Sequence, residues 1–191
     1  MLPATVFLVL FSTPIIRLFF ERGAFNVYST SITSQALLFY ALGLFWFAGI
    51  KVMVTGFHAL QDTVTPAKVA GLCLVMNATL NFVLMGPLKV GGIALASSIS
   101  AGIGFFILFM VLSARLKGFG DGLLEHASKV FMASLAMGAG CFLVWTFAPI
   151  SSELVKFMMV VLTAVLVFFP MCFVLKISQA QKLLQWISKK F

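Results

Sequence analysis

The chain has 191 residues, of which 62% are hydrophobic and 9% charged, with a formal net charge of +8. A soluble domain carries roughly a quarter charged residues, so this composition excludes a soluble protein and points to one integral to a membrane. Strand-like alternation is absent and the apolar runs are about twenty residues long, so the spans are helices in an all-α, polytopic transmembrane bundle.

Hydropathy places six spans at residues 2–20, 32–60, 66–85, 90–112, 130–147 and 155–175. The first opens directly at Met1-Leu2-Pro3 with no basic segment before it, so no signal peptide is expected. A first span without flanking charge reads as a chain cut within a larger protein, or as a gene shortened at its start. Pro14 and Pro170 interrupt the first and last spans, which membrane helices tolerate where neighbours re-satisfy the freed backbone groups. The second span exceeds what a bilayer needs, so it tilts, bends or projects, with Gly43, Gly49 and Gly56 as places to bend.

That second span contains Lys51. It lies about nine residues, or ~14 Å of helix rise, before Leu60. A lysine at the bilayer centre costs about 2.5–3.5 kcal/mol and usually faces a polar cavity or pathway. Two readings follow: a cavity-facing cation that meets an anionic substrate or counter-charge, or a side chain that snorkels along a tilted helix. His58, nearer the end of the span, reads as an interfacial histidine rather than a proton carrier. The phrase ALQDTVTPAK then forms a tight hairpin built on Gln61, Asp62, Thr65 and Pro66. Asp62 or Thr65 can cap the next helix, and Pro66 suits a first helical position.

In the third span Asn77 and Asn81 stand one turn apart on one face. Buried amides need partners, so these two meet another helix or a wet cavity. The fourth span repeats small residues every four positions, at Gly92, Ala96, Ser100 and Gly104, with a second row at Ala94, Ser98 and Gly102. Small residues at that interval let backbones approach closely. Two such rows imply a neighbour on each side. After the sixth span, residues 177–191 place apolar residues at helical spacing beside Lys182, Lys189 and Lys190, with Trp186 suited to the interface. This is an amphipathic helix on the membrane surface, in contact with anionic phospholipid, or else a frayed end that merely satisfies the charge rule.

The basic residues also orient the bundle. Lys68, Arg115, Lys117, Lys129 and the tail lysines fall on one side, and Arg17, Arg22, Lys89 and Lys156 on the other. The positive-inside rule puts the 61–65 loop, the 113–129 loop and the C-terminus in the cytoplasm. These residues flank apolar runs and form no stripe with aromatics, so nucleic acid is not an expected partner. No HExxH, intramembrane Ser–His–Asp set or Gly-rich phosphate loop is present, so no catalytic residue or cofactor is expected. Cys73, Cys141 and Cys172 lack metal-ligand spacing, so no metal is expected either. No acidic residue falls within a span, which argues against a self-contained ion-coupled pump.

Taken together, RLFFERGAFNVYST, KVMVTGFHALQDTVTPAK, Asn81 and GPLKVGGIALASSIS resemble the later part of the MurJ/MviN lipid II flippase family, within the multidrug/oligosaccharidyl-lipid/polysaccharide exporter superfamily. The likeness is strong over residues 15–113 and rests on span count beyond; His58 stands where the family often has an aromatic. The resemblance implies a fourteen-helix protein of which this chain is the ninth to fourteenth helices. Residues 1–115 would be four helices of the second lobe, 116–129 a cytoplasmic loop, 130–176 two extra helices lining a groove for the lipid tail, and 177–191 a basic tail. Lys51 would face the central cavity and help hold the diphosphate of lipid II, the undecaprenyl-diphosphate-linked disaccharide peptide, in the bacterial inner membrane. The family's principal cavity arginines lie on helices that precede this chain, so it would need the missing N-terminal half and would not flip lipid II alone. The alternatives are another lipid-linked oligosaccharide exporter of the same superfamily, and a non-transporting truncated membrane subunit.

Overall fold

A computed structural model of the chain describes residues 1–116, 123–149 and 152–175. Among the described residues there are six helices: α1 Leu2–Phe20, α2 Val27–Ala59, α3 Val64–Leu88, α4 Val90–Arg115, α5 Leu123–Phe147 and α6 Glu153–Val174. All six are long and apolar enough to cross a membrane. The expected tail helix at 177–191 lies outside the described residues.

The spans match the hydropathy reading in number and order, and differ at their ends for local reasons. α2 starts five residues earlier than position 32 because Asn26 caps it, its side chain accepting a hydrogen bond from the Ser29 amide at 3.0 Å. A capping asparagine satisfies one of the free N–H groups of a first helical turn, so the polar stretch after Asn26 is helix rather than loop. α3 runs to Leu88 and α4 begins at Val90, leaving Lys89 as the whole connection where the hydropathy bounds leave a loop at 86–89. Lys89 takes φ +51°, a left-handed value that reverses the chain in one residue. α5 begins at Leu123, although its membrane-crossing portion is Ala127–Phe147. Hydropathy finds the span and not the helical extension into water.

The chain divides into two compact units: Phe11–Gly120, and Leu2–Leu10 with Asp121–Phe191. The division falls inside α1, where Phe11 leaves helical geometry at φ −114°, ψ 18°. The cause is Pro14, which cannot donate to the carbonyl of Leu10 and whose ring crowds it.

In the first unit α4 lies between α2 and α3, and its small residues make that possible. Ser98 donates to the Phe39 carbonyl at 2.7 Å, Gly43 lies against Ser98, and Gly102 lies under the Trp46 indole. On the other side Gly92 abuts the backbone of Leu84 and Met85, and Gly104 faces Cys73. Met53, Phe57, Val69, Leu108 and Leu112 close the core towards the Gln61 end. In the second unit α5 packs on α6: Cys141 lies 3.6 Å from the Val160 carbonyl, and Phe157 meets Phe7 edge to face at 6.2 Å.

Candidate functional site

The hairpin between α2 and α3 is built by its backbone. Leu60 ends α2, Gln61 adopts φ +57°, its amide donates to the His58 carbonyl at 2.9 Å and the Asp62 amide to the Phe57 carbonyl at 3.0 Å. That pair of bonds is the Schellman ending of a helix, here with a glutamine where glycine is usual. Asp62 then turns its carboxylate to the next helix. Its Oδ1 accepts from the amides of Val64 at 3.0 Å and Thr65 at 2.9 Å, and its Oδ2 from the Thr65 hydroxyl at 2.6 Å. The Asp62 carboxylate therefore satisfies the first amides of α3 in place of the N-cap residue Thr63, which makes no side-chain cap bond, and Thr65 supports it. α3 begins at Val64, so Pro66 falls in its first turn rather than at its first position.

Arg115 at the end of α4 completes the hairpin. Its Nη1 reaches Asp62 Oδ2 at 2.6 Å, and its guanidinium lies over the Phe57 ring, 5.6 Å from the centroid. The Thr65 hydroxyl, the Thr65 amide and the Arg115 guanidinium together hold the Asp62 carboxyl well below the usual carboxylate range. No local signal marks Arg115 as the partner, since 53 positions separate the two.

Nearer the middle of the unit, the Asn77 amide donates to the Ser97 hydroxyl at 3.1 Å, bridging α3 and α4, and Asn81 donates to the Asn77 carbonyl oxygen at 2.9 Å. Asn77, Ser97 and Ser100 edge a cavity of about 380 Å³ between α2, α3 and α4, whose other walls, Ile50, Val54, Val69 and Leu108 among them, are apolar. The buried Asn81 Oδ1 and Ser100 Oγ have no hydrogen-bond partner among the described residues. Of the row Gly92, Ala96, Ser100 and Gly104, every member is buried.

Lys51 is not part of this cluster. The residues of α2 that pack on α4 are Gly43, Trp46, Gly49, Ile50, Met53, Gly56 and Phe57. At about 100° per residue Lys51 lies roughly 150° from the centre of that face, and it is exposed. Thus Asn77, Asn81, Ser97 and Ser100 converge between α3 and α4, while Lys51 stands on the open side of α2. At the opposite end of the unit, Lys89 donates to the Tyr28 hydroxyl at 2.6 Å, and the Thr30 hydroxyl donates to Glu21 at 2.7 Å. Neither contact has a signature in the sequence.

In the second unit an apolar cavity of about 370 Å³ is lined by Pro3, Ala4, Phe7 and Leu8 of α1, Met137 of α5 and Ala164, Val165, Phe168 and Phe169 of α6. None of these described lining residues is charged.

The family model described as lipid II flippase MurJ matches residues 1–165. The probable lipid II flippase MurJ of Rhizobium meliloti is 36% identical over 154 residues, covering 79% of this chain and 29% of that protein. The lipid II flippase MurJ of Thermosipho africanus is 38% identical over 122 residues, covering 62% of this chain and 25% of its own length. A solved structure of lipid II flippase MurJ in an inward closed conformation superposes with a TM-score of 0.73 at 30% identity, over 89% of this chain and 34% of the other. The chain thus spans between a quarter and about a third of these relatives. With six helices able to cross a membrane and a sequence match over most of its length, the chain belongs to the MurJ family of lipid II flippases.

Proposed function

We propose that this chain forms the C-terminal portion of a lipid II flippase, which moves the undecaprenyl-diphosphate-linked disaccharide peptide across the bacterial inner membrane by alternating access. It acts only together with the helices that precede this portion in its longer relatives. The observation that carries the reading is the position of Lys51 on the face of α2 turned away from α4. An ammonium against acyl chains is costly, and such residues face water or a counter-charge. Helices of the other lobe, laid opposite this face, enclose a wet cavity in which Lys51 holds the diphosphate.

In this reading the Gln61–Pro66 hairpin, the end of α4 and the C-terminal tail face the cytoplasm, as the distribution of basic residues favours. The tail then rests on anionic phospholipid. The apolar cavity of the second unit, with Phe168 and Phe169 on its wall, accommodates part of the polyprenyl chain, for which an uncharged lining is required. Asn77 and Asn81 serve as the polar joint between α3 and α4, and the row from Gly92 to Gly104 as a packing surface.

The test is complementation of a flippase-depleted bacterium by this chain fused behind the preceding helices of the Thermosipho africanus relative. The fusion restores growth, Lys51→Arg retains it, and Lys51→Met abolishes it while inserting at the same level. Full growth of the Lys51→Met protein removes the cavity role.

A further inference from the structure

The open face of α2 carries a second residue suited to an anion. His58 follows Lys51 by seven positions, which returns the helix to within about 20° of the same meridian and advances it about 10 Å. Both side chains are exposed, and no described residue bonds the imidazole of one or the ammonium of the other. Between them Thr55 turns its hydroxyl back to the Lys51 carbonyl at 2.9 Å, so it does not compete for a ligand.

Among the described residues, the charges around this end of α2 leave His58 without a counter-ion. α4 contributes Arg115, which is engaged with Asp62 at 2.6 Å and with the Phe57 ring. α3 contributes Lys68, a second cation, and neither α3 nor α4 contains an aspartate or glutamate. Asp62 itself is filled by Val64, Thr65 and Arg115. A protonated imidazole here is complementary to an anion from outside the unit.

We propose that His58 is a second substrate-contacting cation, placed at the mouth of the open face, which captures the diphosphate of a polyprenyl diphosphate lipid before Lys51 receives it. The inference rests on the reading of Lys51 given above and adds a second contact to it. The readout is the difference between the unaltered protein and a His58 variant, measured on one ligand.

The experiment uses this chain fused behind the preceding helices of the Thermosipho africanus relative, in phosphatidylcholine nanodiscs, with undecaprenyl diphosphate as the probe and its affinity measured at pH 6. His58→Gln weakens binding about fivefold, the effect of one nearby unit charge in a wet site. His58→Lys keeps it. Lys51→Met weakens binding as well. Circular dichroism that matches the unaltered chain establishes that each variant is folded. If Lys51→Met weakens binding while His58→Gln keeps the affinity of the unaltered protein, the role of His58 is overturned and that of Lys51 stands. If neither substitution changes the affinity, both fall. Equal effects on phosphatidylglycerol and on undecaprenyl diphosphate reduce His58 to a contact for anionic headgroups in general and overturn it as a substrate contact.

Discussion

Arg115 and Asp62 meet at 2.6 Å across 53 positions of sequence, and the same carboxylate caps α3 through the Val64 and Thr65 amides. One side chain therefore starts a helix and ties it to the end of another. Because the carboxyl is held below the usual range by Thr65 first and Arg115 second, its contribution has a definite sign with pH. It is fully present above the unfolded aspartate value near 4 and is lost as the pH falls through the lower folded value. The hairpin accordingly stays closed at pH 5 and loosens only in stronger acid. Amide exchange at Val64 and Thr65 checks this: Asp62→Asn raises it at pH 6, and Arg115→Gln shifts the acid transition of the unaltered carboxyl towards higher pH.

Gln61 adopts φ +57°, a conformation that costs an L side chain about 1 kcal/mol or more and glycine almost nothing. Gln61→Gly raises stability by about 0.5–1 kcal/mol, read from thermal unfolding in detergent. A loss instead of a gain reveals a contact of the glutamine side chain that outweighs its backbone strain.

Gly92 has no room for a methyl group, since a Cβ there falls on the backbone of Leu84 and Met85. Backbone cannot swing aside as a side chain can, so Gly92→Ala destabilises the first unit by about 1–3 kcal/mol. Gly71 is the control: nothing lies within 4 Å of its Cβ position. Gly71→Ala is neutral or stabilising by up to about 1 kcal/mol. The two alanine variants, compared by thermal unfolding, separate close packing from helix propensity.

The Asn77–Ser97 hydrogen bond at 3.1 Å joins α3 to α4 within the stretches of both helices that are apolar enough to cross a membrane. Polar contacts between membrane helices average about 0.6 kcal/mol. Ser97→Ala costs about that much, whereas Asn77→Leu also removes the partner of Asn81 and costs more. Unfolding of both single variants and the double variant, taken as a cycle, gives the coupling; additivity of the two effects excludes the bond as a stabilising link.

How much of this was legible in the sequence depends on the range over which each feature acts. The six spans were readable because each is a local sum over apolar side chains. The small rows of α4 were readable because their four-residue period is itself the geometry of a helix face. Asn26 as a cap followed a local rule too, but a polar stretch concealed it. Ser98 on the Phe39 carbonyl, Lys89 on Tyr28 and Arg115 on Asp62 join positions 59, 61 and 53 apart. Only the fold decides those pairings. Lys51 lies between the two cases: its cost in hydrocarbon could be read from its neighbours, and the face it occupies required α4 to be laid against α2.

The single-residue connection at Lys89 leaves no slack between α3 and α4. One inserted residue would turn α4 by about 100° about its own axis, swinging Gly92 off the Leu84 backbone and carrying both small rows away from the helices they touch. The phase of the three-helix unit is thus stored in a chain length, and length variation belongs in the other connections. Such a corner also suits entry into the bilayer as a ready-made pair of helices, since neither can translate along the other once the join has formed.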